Sequence, residues 1–333
     1  MKGKIIEVYG MKKNLKEWAD YLGISKQLLN YKIKKSGKSV EDTILIEIYK
    51  GYIKEMELKE YSEKLGINKV ISEYKTKEKK KKKKKVMIIN DVHVPYQHEG
   101  LLNEIKKHKD MDYLVIGGDL IDCESCSSFQ ILERPTLEQE LVSAHEFIQE
   151  INKIINAEII CIKGNHEERL EREICKMQNK GLQRLLDSQL LRMLEEGFKF
   201  NIGTKRKQYK AIENFKYIDK WYARLFDNLV ICHPKDFSNV PAKIAEKSAE
   251  YFLNRGVIEK DDVIFIGHTH KFSQIVSTRR QDVFVIENGC SCKSMDYSDR
   301  GNLSYGNQVN CYTIVEFEEG NKINKNDIKT YFY

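Results

Sequence analysis

The stretch Tyr113-Leu114-Val115-Ile116-Gly117-Gly118-Asp119-Leu120-Ile121-Asp122 decides the fold class. Four apolar residues read as a short buried strand, and the polar residues that end it stand where a strand delivers chemistry. The pattern recurs along the chain. Val86 to Ile89, Glu158 to Ile162, Leu229 to Cys232, Val263 to Ile266, Val283 to Ile286 and Tyr312 to Phe317 are further strand candidates, with helical patterns such as Leu137 to Ile155 between them. Polar residues follow directly after five of these runs. Sites in layered α/β proteins gather at the carboxyl ends of strands, so an α/β domain with one composite site is expected.

Five segments carry that site: Asp91-Val92-His93, Gly117-Gly118-Asp119-Leu120-Ile121-Asp122, Gly164-Asn165-His166-Glu167, His233-Pro234 and Gly267-His268-Thr269-His270. Each alone is a weak signal, but five in this order resemble the calcineurin-like metallophosphoesterase superfamily across nearly all of residues 86 to 290. The resemblance implies a four-layer αββα sandwich over residues 86–333. It also implies a metal pair, with Asp91, His93, His270 and a bridging Asp119 around one ion and Asn165, His233, His268 and the same Asp119 around the other. His166 then faces the phosphate as general acid and electrostatic stabiliser. Two divalent cations about 3.5–4 Å apart clamp a phosphoryl group and activate a water. Mixed oxygen and imidazole donors suit Mn, Fe, Zn or Ni.

Asp122 either hydrogen-bonds a ligand histidine or caps the following turn, and Arg169 either reaches the phosphate or lies on a solvated helix face. Arg172 is expected on that face. Protein serine/threonine phosphatases of the superfamily place Arg-Gly after the second motif and His-Gly-Gly at the fourth. Here Cys123-Glu124 and Pro234 stand there, and the segments Asp91 to Tyr96 and Gly164 to Arg172 look more like phage-type members. His98, His108 and His145 read as ordinary structural residues. Cys123/Cys126 and Cys290/Cys292 read as packing residues near the pocket rather than a four-thiolate zinc site. Between Leu182 and Phe226, cations interleave with Tyr209, Tyr217, Trp221 and Tyr222, which fits an ordinary helical hairpin with edge strands or a surface that grips a nucleic-acid strand.

The amino-terminal part differs in composition. Residues 1 to 85 hold 24 lysines, no arginine and 12 acids, a balance of +12 in a chain of net charge +7, which leaves −5 for the remainder. Leu15, Trp18, Ala19 and Leu22 repeat at helical spacing, Gly23 stops the helix and Ser25 can cap the next. This resembles the small helix-turn-helix modules attached to phage and prophage enzymes. Leu58 to Tyr74 repeats the pattern from Leu15 to Tyr31, and Lys79 to Lys85 is an unbroken lysine run. The expected organisation is an all-α helix-turn-helix domain (1–50), a second such repeat (51–78), a lysine linker (79–85) and the catalytic domain (86–333). DNA is the partner expected for residues 1–85.

No apolar run approaches the roughly 18 residues of a membrane helix, and eight cysteines in 333 residues suit a reducing compartment. A cytoplasmic, phage- or prophage-type metal-dependent phosphoesterase acting on DNA is the reading these features favour. A phosphomonoesterase on protein, nucleotide or small molecule is one rival; a DNA-binding regulator with a sensing phosphoesterase-like domain is another, against which the full ligand set argues.

Overall fold

The computed structural model describes residues 5–8, 10–22, 24–51, 83–128, 133–177, 181, 189–202, 205–279, 282–294 and 308–333. Two compact units divide the chain, Met1–Lys81 and Lys82–Tyr333.

In the first unit, β1 (Ile5–Val8) pairs antiparallel with β2 (Met11–Asn14), and α1 (Leu15–Tyr21), α2 (Lys26–Ser36) and α3 (Val40–Gly51) follow. Asn14 closes a capping box on α1: its side chain accepts from the Lys16 and Glu17 amides while Glu17 accepts from the Asn14 amide. Ser25 caps α2, accepting from the Leu28 amide at 3.1 Å. The expectation of an all-α domain is corrected by the hairpin. Ile6 and Val8 alternate inward and join Trp18, Leu22, Leu29 and Ile44 in one buried cluster, and the Trp18 indole donates to the Ile6 carbonyl at 3.1 Å. The hairpin thus covers the largest side chain of the unit and satisfies its polar atom. The second repeat at Leu58 to Tyr74 lies outside the described residues.

The second unit opens with β3 (Lys83–Ile89), so Lys83, Lys84 and Lys85 belong to a strand and not to a linker. The cause is charge pairing across the ladder. Lys83 faces Glu318 and Lys85 faces Glu316 on the neighbouring antiparallel strand, and the Lys85 ammonium lies 2.8 Å from Asp110. Residues 79–82 lie outside the described residues. Next come α4 (Leu101–Lys106), β4 (Tyr113–Ile116), α5 (Leu137–Ile154), β5 (Glu158–Ile162), α6 (Glu168–Lys176), α7 (Arg192–Glu196), and the strands β6 (Phe198–Ile202), β7 (Lys205–Tyr209), β8 (Phe215–Ile218), β9 (Tyr222–Leu225) and β10 (Leu229–Cys232). Then follow α8 (Lys243–Asn254), β11 (Val263–Ile266), β12 (Phe272–Val276), β13 (Phe284–Asn288), β14 (Cys311–Glu318) and β15 (Ile328–Phe332).

A six-stranded sheet has the order β15-β14-β3-β4-β5-β8 and a five-stranded sheet the order β12-β13-β11-β10-β9. The central strands of each are parallel. Val86, Ile88, Val115 and Ile162 of the first sheet share one apolar cluster with Leu229, Ile231, Phe265 and Ile286 of the second, so the sheets pack face to face. Alternate residues point the other way. Met87, Ile89, Leu114 and Ile116 meet Leu101, Ile105, Leu141 and Ile148 of α4 and α5, while Val230, Ile264 and Val285 meet Ile244, Ala245 and Phe252 of α8. The layers run helix, sheet, sheet, helix. No helix among the described residues is long and apolar enough to cross a membrane.

From Leu182 to Phe226 the described residues form α7 and β6 to β9, with β8 and β9 at opposite sheets' edges. The aromatics of this segment are largely engaged internally: Phe198 stacks on Tyr209 at 4.6 Å and Trp221 on Phe252 at 5.5 Å.

Candidate metal centre

Parallel strands β3, β4, β5, β10 and β11 end at one rim, and the residues just beyond them converge there. Asp91 follows β3, Asp119 follows β4, Asn165 and His166 follow β5, His233 follows β10, and His268 and His270 follow β11. The loops turn abruptly: Asp91, His93, Asp119, His268 and His270 all hold φ between 51° and 77°, the left-handed region that side chains rarely occupy. Glycine admits the close approaches. A Cβ on Gly164 would sit 2.0 Å from an Asp119 carboxylate oxygen, and one on Gly118, at φ 93°, would sit 2.4 Å from His233 Nδ1.

Asp119 lies at the middle. Its Oδ1 accepts from the His166 amide at 2.9 Å, which leaves Oδ2 3.1 Å from His233 Nε2 and 3.8 Å from both His93 Nε2 and His166 Nε2. Asp91 Oδ1 lies 3.3 Å from His270 Nε2 and 3.9 Å from His93 Nε2, and both Asp91 oxygens accept from the His268 amide. Asn165 Oδ1 is 3.1 Å from His233 Nε2. Of four donor groups of metal-binding size among the described residues, two, Asp91/His93/Asp119 and Asp119/His233/His268, share Asp119. The donor chemistry of carboxylate, amide oxygen and imidazole fits hard-to-borderline divalent cations. All seven residues expected as ligands are therefore brought together.

Ring orientation is set from behind. His93 Nδ1 lies 2.9 Å from Asp122 Oδ1, and His233 Nδ1 donates to the Gly117 carbonyl at 2.8 Å, so each Nε2 is aimed into the site. Asp122 is thus the partner of a candidate ligand. It also meets His166, whose Nδ1 donates to the Asp122 carbonyl at 2.6 Å. Arg169 lies against this pair, with Nη1 donating to the same carbonyl at 3.0 Å and Nη2 2.9 Å from His166 Nε2. Arg172 is exposed, as expected. His98, His108 and His145 stand outside the site, each with its own hydrogen bond. All eight cysteines are free, and among the described residues the groups able to hold a metal contain no more than one thiolate.

The electrostatics call for added positive charge. Burial disfavours ionised Asp91 and Asp119, yet the surrounding imidazoles outweigh it and hold both carboxyls below the usual range. Burial likewise opposes a charged His233, but Asp119 and Asp91 push its pKa up to about 10. Burial and the neighbouring His233 take His268 down to about 4. For Asp122 burial is outweighed by hydrogen bonds from His166 and His93, which keep its carboxyl well below its ordinary value. Two buried carboxylates thus draw protons onto nearby imidazoles, and divalent cations would take the place of those protons.

Glu167 has a role its sequence context did not reveal. Fully enclosed, it accepts from the amides of Asp119 (3.2 Å), Ile121 (3.1 Å) and Gly164 (2.8 Å), tying the loops after β4 and β5 together. Burial and the Asp119 charge raise its pKa to about 7. Its position beside Asn165 and His166 was the only signal available.

A family model described as calcineurin-like phosphoesterase matches residues 84–272, a span that contains all seven candidate ligands. No curated protein matches the chain. Among solved structures it is similar to one described as a novel archaeal phosphodiesterase, with 16% identity, 75% of this chain and 99% of that chain covered, and TM-score 0.31. Another is a phosphoesterase from E. coli, with 13% identity, 72% and 94% covered, and TM-score 0.29. A third is a 5′-nucleotidase precursor from Thermus thermophilus, with 12% identity, 75% and 54% covered, and TM-score 0.31.

Proposed function

Because the chain belongs to the calcineurin-like phosphoesterase family, we propose that it is a dinuclear metal-dependent phosphodiesterase that cleaves DNA, brought to its substrate by the basic amino-terminal unit. The observation that carries the dinuclear reading is the single Asp119 oxygen that faces His93 on one side and His233 on the other. Asp91, His93, His270 and Asp119 would hold one ion, and Asn165, His233, His268 and Asp119 the second. When bound, the pair supplies charge to the phosphoryl oxygens and activates a water.

The chain's own residues do the rest. With Asp122 steadying the ring through Nδ1, His166 would take up a proton on Nε2 and pass it to the leaving oxygen once the Arg169 guanidinium, which donates toward Nε2 here, has turned to the substrate. The Arg169 guanidinium, already beside Nε2, stabilises charge on the phosphate as it turns toward substrate. The DNA reading is supported by α2, capped by Ser25, which exposes Lys26, Gln27, Asn30, Tyr31 and Lys34 on one helix, a donor-rich set suited to a major groove. A metal-by-substrate assay tests the proposal. Faster turnover of bis-p-nitrophenyl phosphate than of p-nitrophenyl phosphate, and nicking of duplex DNA with Mn²⁺, are expected; preference for the monoester without any DNA cleavage refutes the diesterase reading.

A further inference from the structure

A cavity of about 520 Å³ adjoins the centre on the side of β10 and α8, and no candidate ligand role accounts for it. That volume suits a small organic group. Two wall residues place it next to the centre: His233, a candidate ligand whose side chain is itself enclosed, and Glu168, which follows the Asn165-His166-Glu167 turn. We infer that this cavity takes the nucleobase of the phosphoester while its phosphate lies at Asp119, an inference that rests on the phosphoesterase reading above.

Three features of the wall select a base. Trp221 and Tyr251 both line the cavity, and their rings are held in place, Trp221 stacked on Phe252 at 5.5 Å and edge-on to Tyr251 at 5.4 Å, Tyr251 beneath Arg255 at 4.3 Å. Rings fixed beforehand lose little entropy when a planar group stacks on them. Ser248 and Asn254 provide hydrogen-bonding groups suited to the edge of a base. The charges pair off: Lys235 with Glu168, Lys247 with Asp236 at 2.6 Å, and Glu250 with Arg279 at 3.5 Å. A second phosphate is therefore disfavoured and a neutral, planar, polar-edged group is favoured.

Tryptophan fluorescence gives a direct readout, because the chain has two tryptophans and the other, Trp18, is fully buried in the amino-terminal unit. The Mn²⁺-loaded chain is titrated with hydrolysis-resistant phosphonate analogues of adenosine 5′-monophosphate and of ribose 5-phosphate. The adenosine compound should quench saturably, the ribose compound should not, and the quench should vanish in Trp221→Phe. Tyr251→Ala should weaken the adenosine compound at least ~5-fold and leave the ribose compound unchanged by calorimetry. A single-stranded oligonucleotide run in parallel separates polymer from free nucleotide as the source of the base, and the tighter ligand names it. Equal affinity for the two analogues, or a quench that survives Trp221→Phe, overturns the inference. Failure of both the ribose analogue and inorganic phosphate to bind would count against the phosphoesterase reading instead. Adenosine alone then decides the cavity, a saturable quench sustaining it and no quench ending it.

Discussion

At the scale of single residues, Asp119 is the position on which the proposed centre turns. Asp119→Asn is expected to lose both metals together and to abolish turnover, because one oxygen serves both donor groups; two metals per chain with near-normal activity would refute the bridge. His166→Ala should lower the rate at least ~10²-fold with metal content close to the parent's. The loss should shrink for aryl esters, whose leaving groups need little protonation, so equal losses on aryl and alkyl substrates would argue against an acid role. Glu167→Ala strands three enclosed amides and should destabilise the domain by about 3 kcal/mol, measured by denaturant unfolding. The grouping of Asp91, His93, Asp119, Asn165, His233, His268 and His270 was legible through the five motifs and their resemblance to the superfamily, supported by the cost of burying so many polar side chains at strand ends. Glu167 was not, since a carboxylate serving backbone amides leaves no mark distinct from a surface acid.

Among the elements, Tyr113–Ile116, Glu158–Ile162, Leu229–Cys232 and Val263–Ile266 were legible to the residue. Each is an interior strand with a parallel neighbour, covered on both faces, and such strands are written as nearly unbroken apolar runs. Lys205–Tyr209, Phe272–Val276 and Ile328–Phe332 were not legible, because they sit at edges or in a hairpin where polar residues are tolerated and the apolar signal is diluted. Helix α8 offers a test of pairing between elements. Glu246 accepts from the amides of Thr278 and Arg279 and from the Thr278 and Ser277 hydroxyls beyond β12. Burial would raise its carboxyl pKa, but these bonds outweigh it and lower it from the ordinary 4.5. A depressed pKa means that the contribution is complete above the unfolded value and disappears as pH falls through the folded one. Glu246→Gln should therefore melt earlier than the parent at pH 7, by a margin that narrows as the pH falls through and below the ordinary carboxylate range; a margin independent of pH would show that the charge is not what matters.

For the whole molecule, the compact unit Lys82–Tyr333 contains every candidate ligand, while the positive balance lies in the other unit. Deleting residues 1–81 should leave hydrolysis of a small aryl diester almost unchanged and reduce duplex binding together with its salt dependence, at a slope of roughly 0.9 per lysine-phosphate contact. Replacing Lys79 to Lys82 by Ser, and sparing the paired Lys83 to Lys85, separates a sequence-blind lysine contribution from that of α2. Undiminished binding by the truncated chain would make the first unit a protein-contact element. A different consequence attends the left-handed backbone at Asp91, His93, Asp119, His268 and His270. Such conformations are unfavourable for residues with a Cβ by roughly 1 kcal/mol or more each. Glycine at His268 or His270 would relax the loops, whereas at Asp91 or Asp119 it would strand the His268 or His166 amide that the carboxylate serves. A thermostability selection blind to turnover should therefore enrich inactive sequences here. Natural descendants that abandon catalysis have a downhill route to a sturdier fold, so this rim is where loss of the enzyme would first be written.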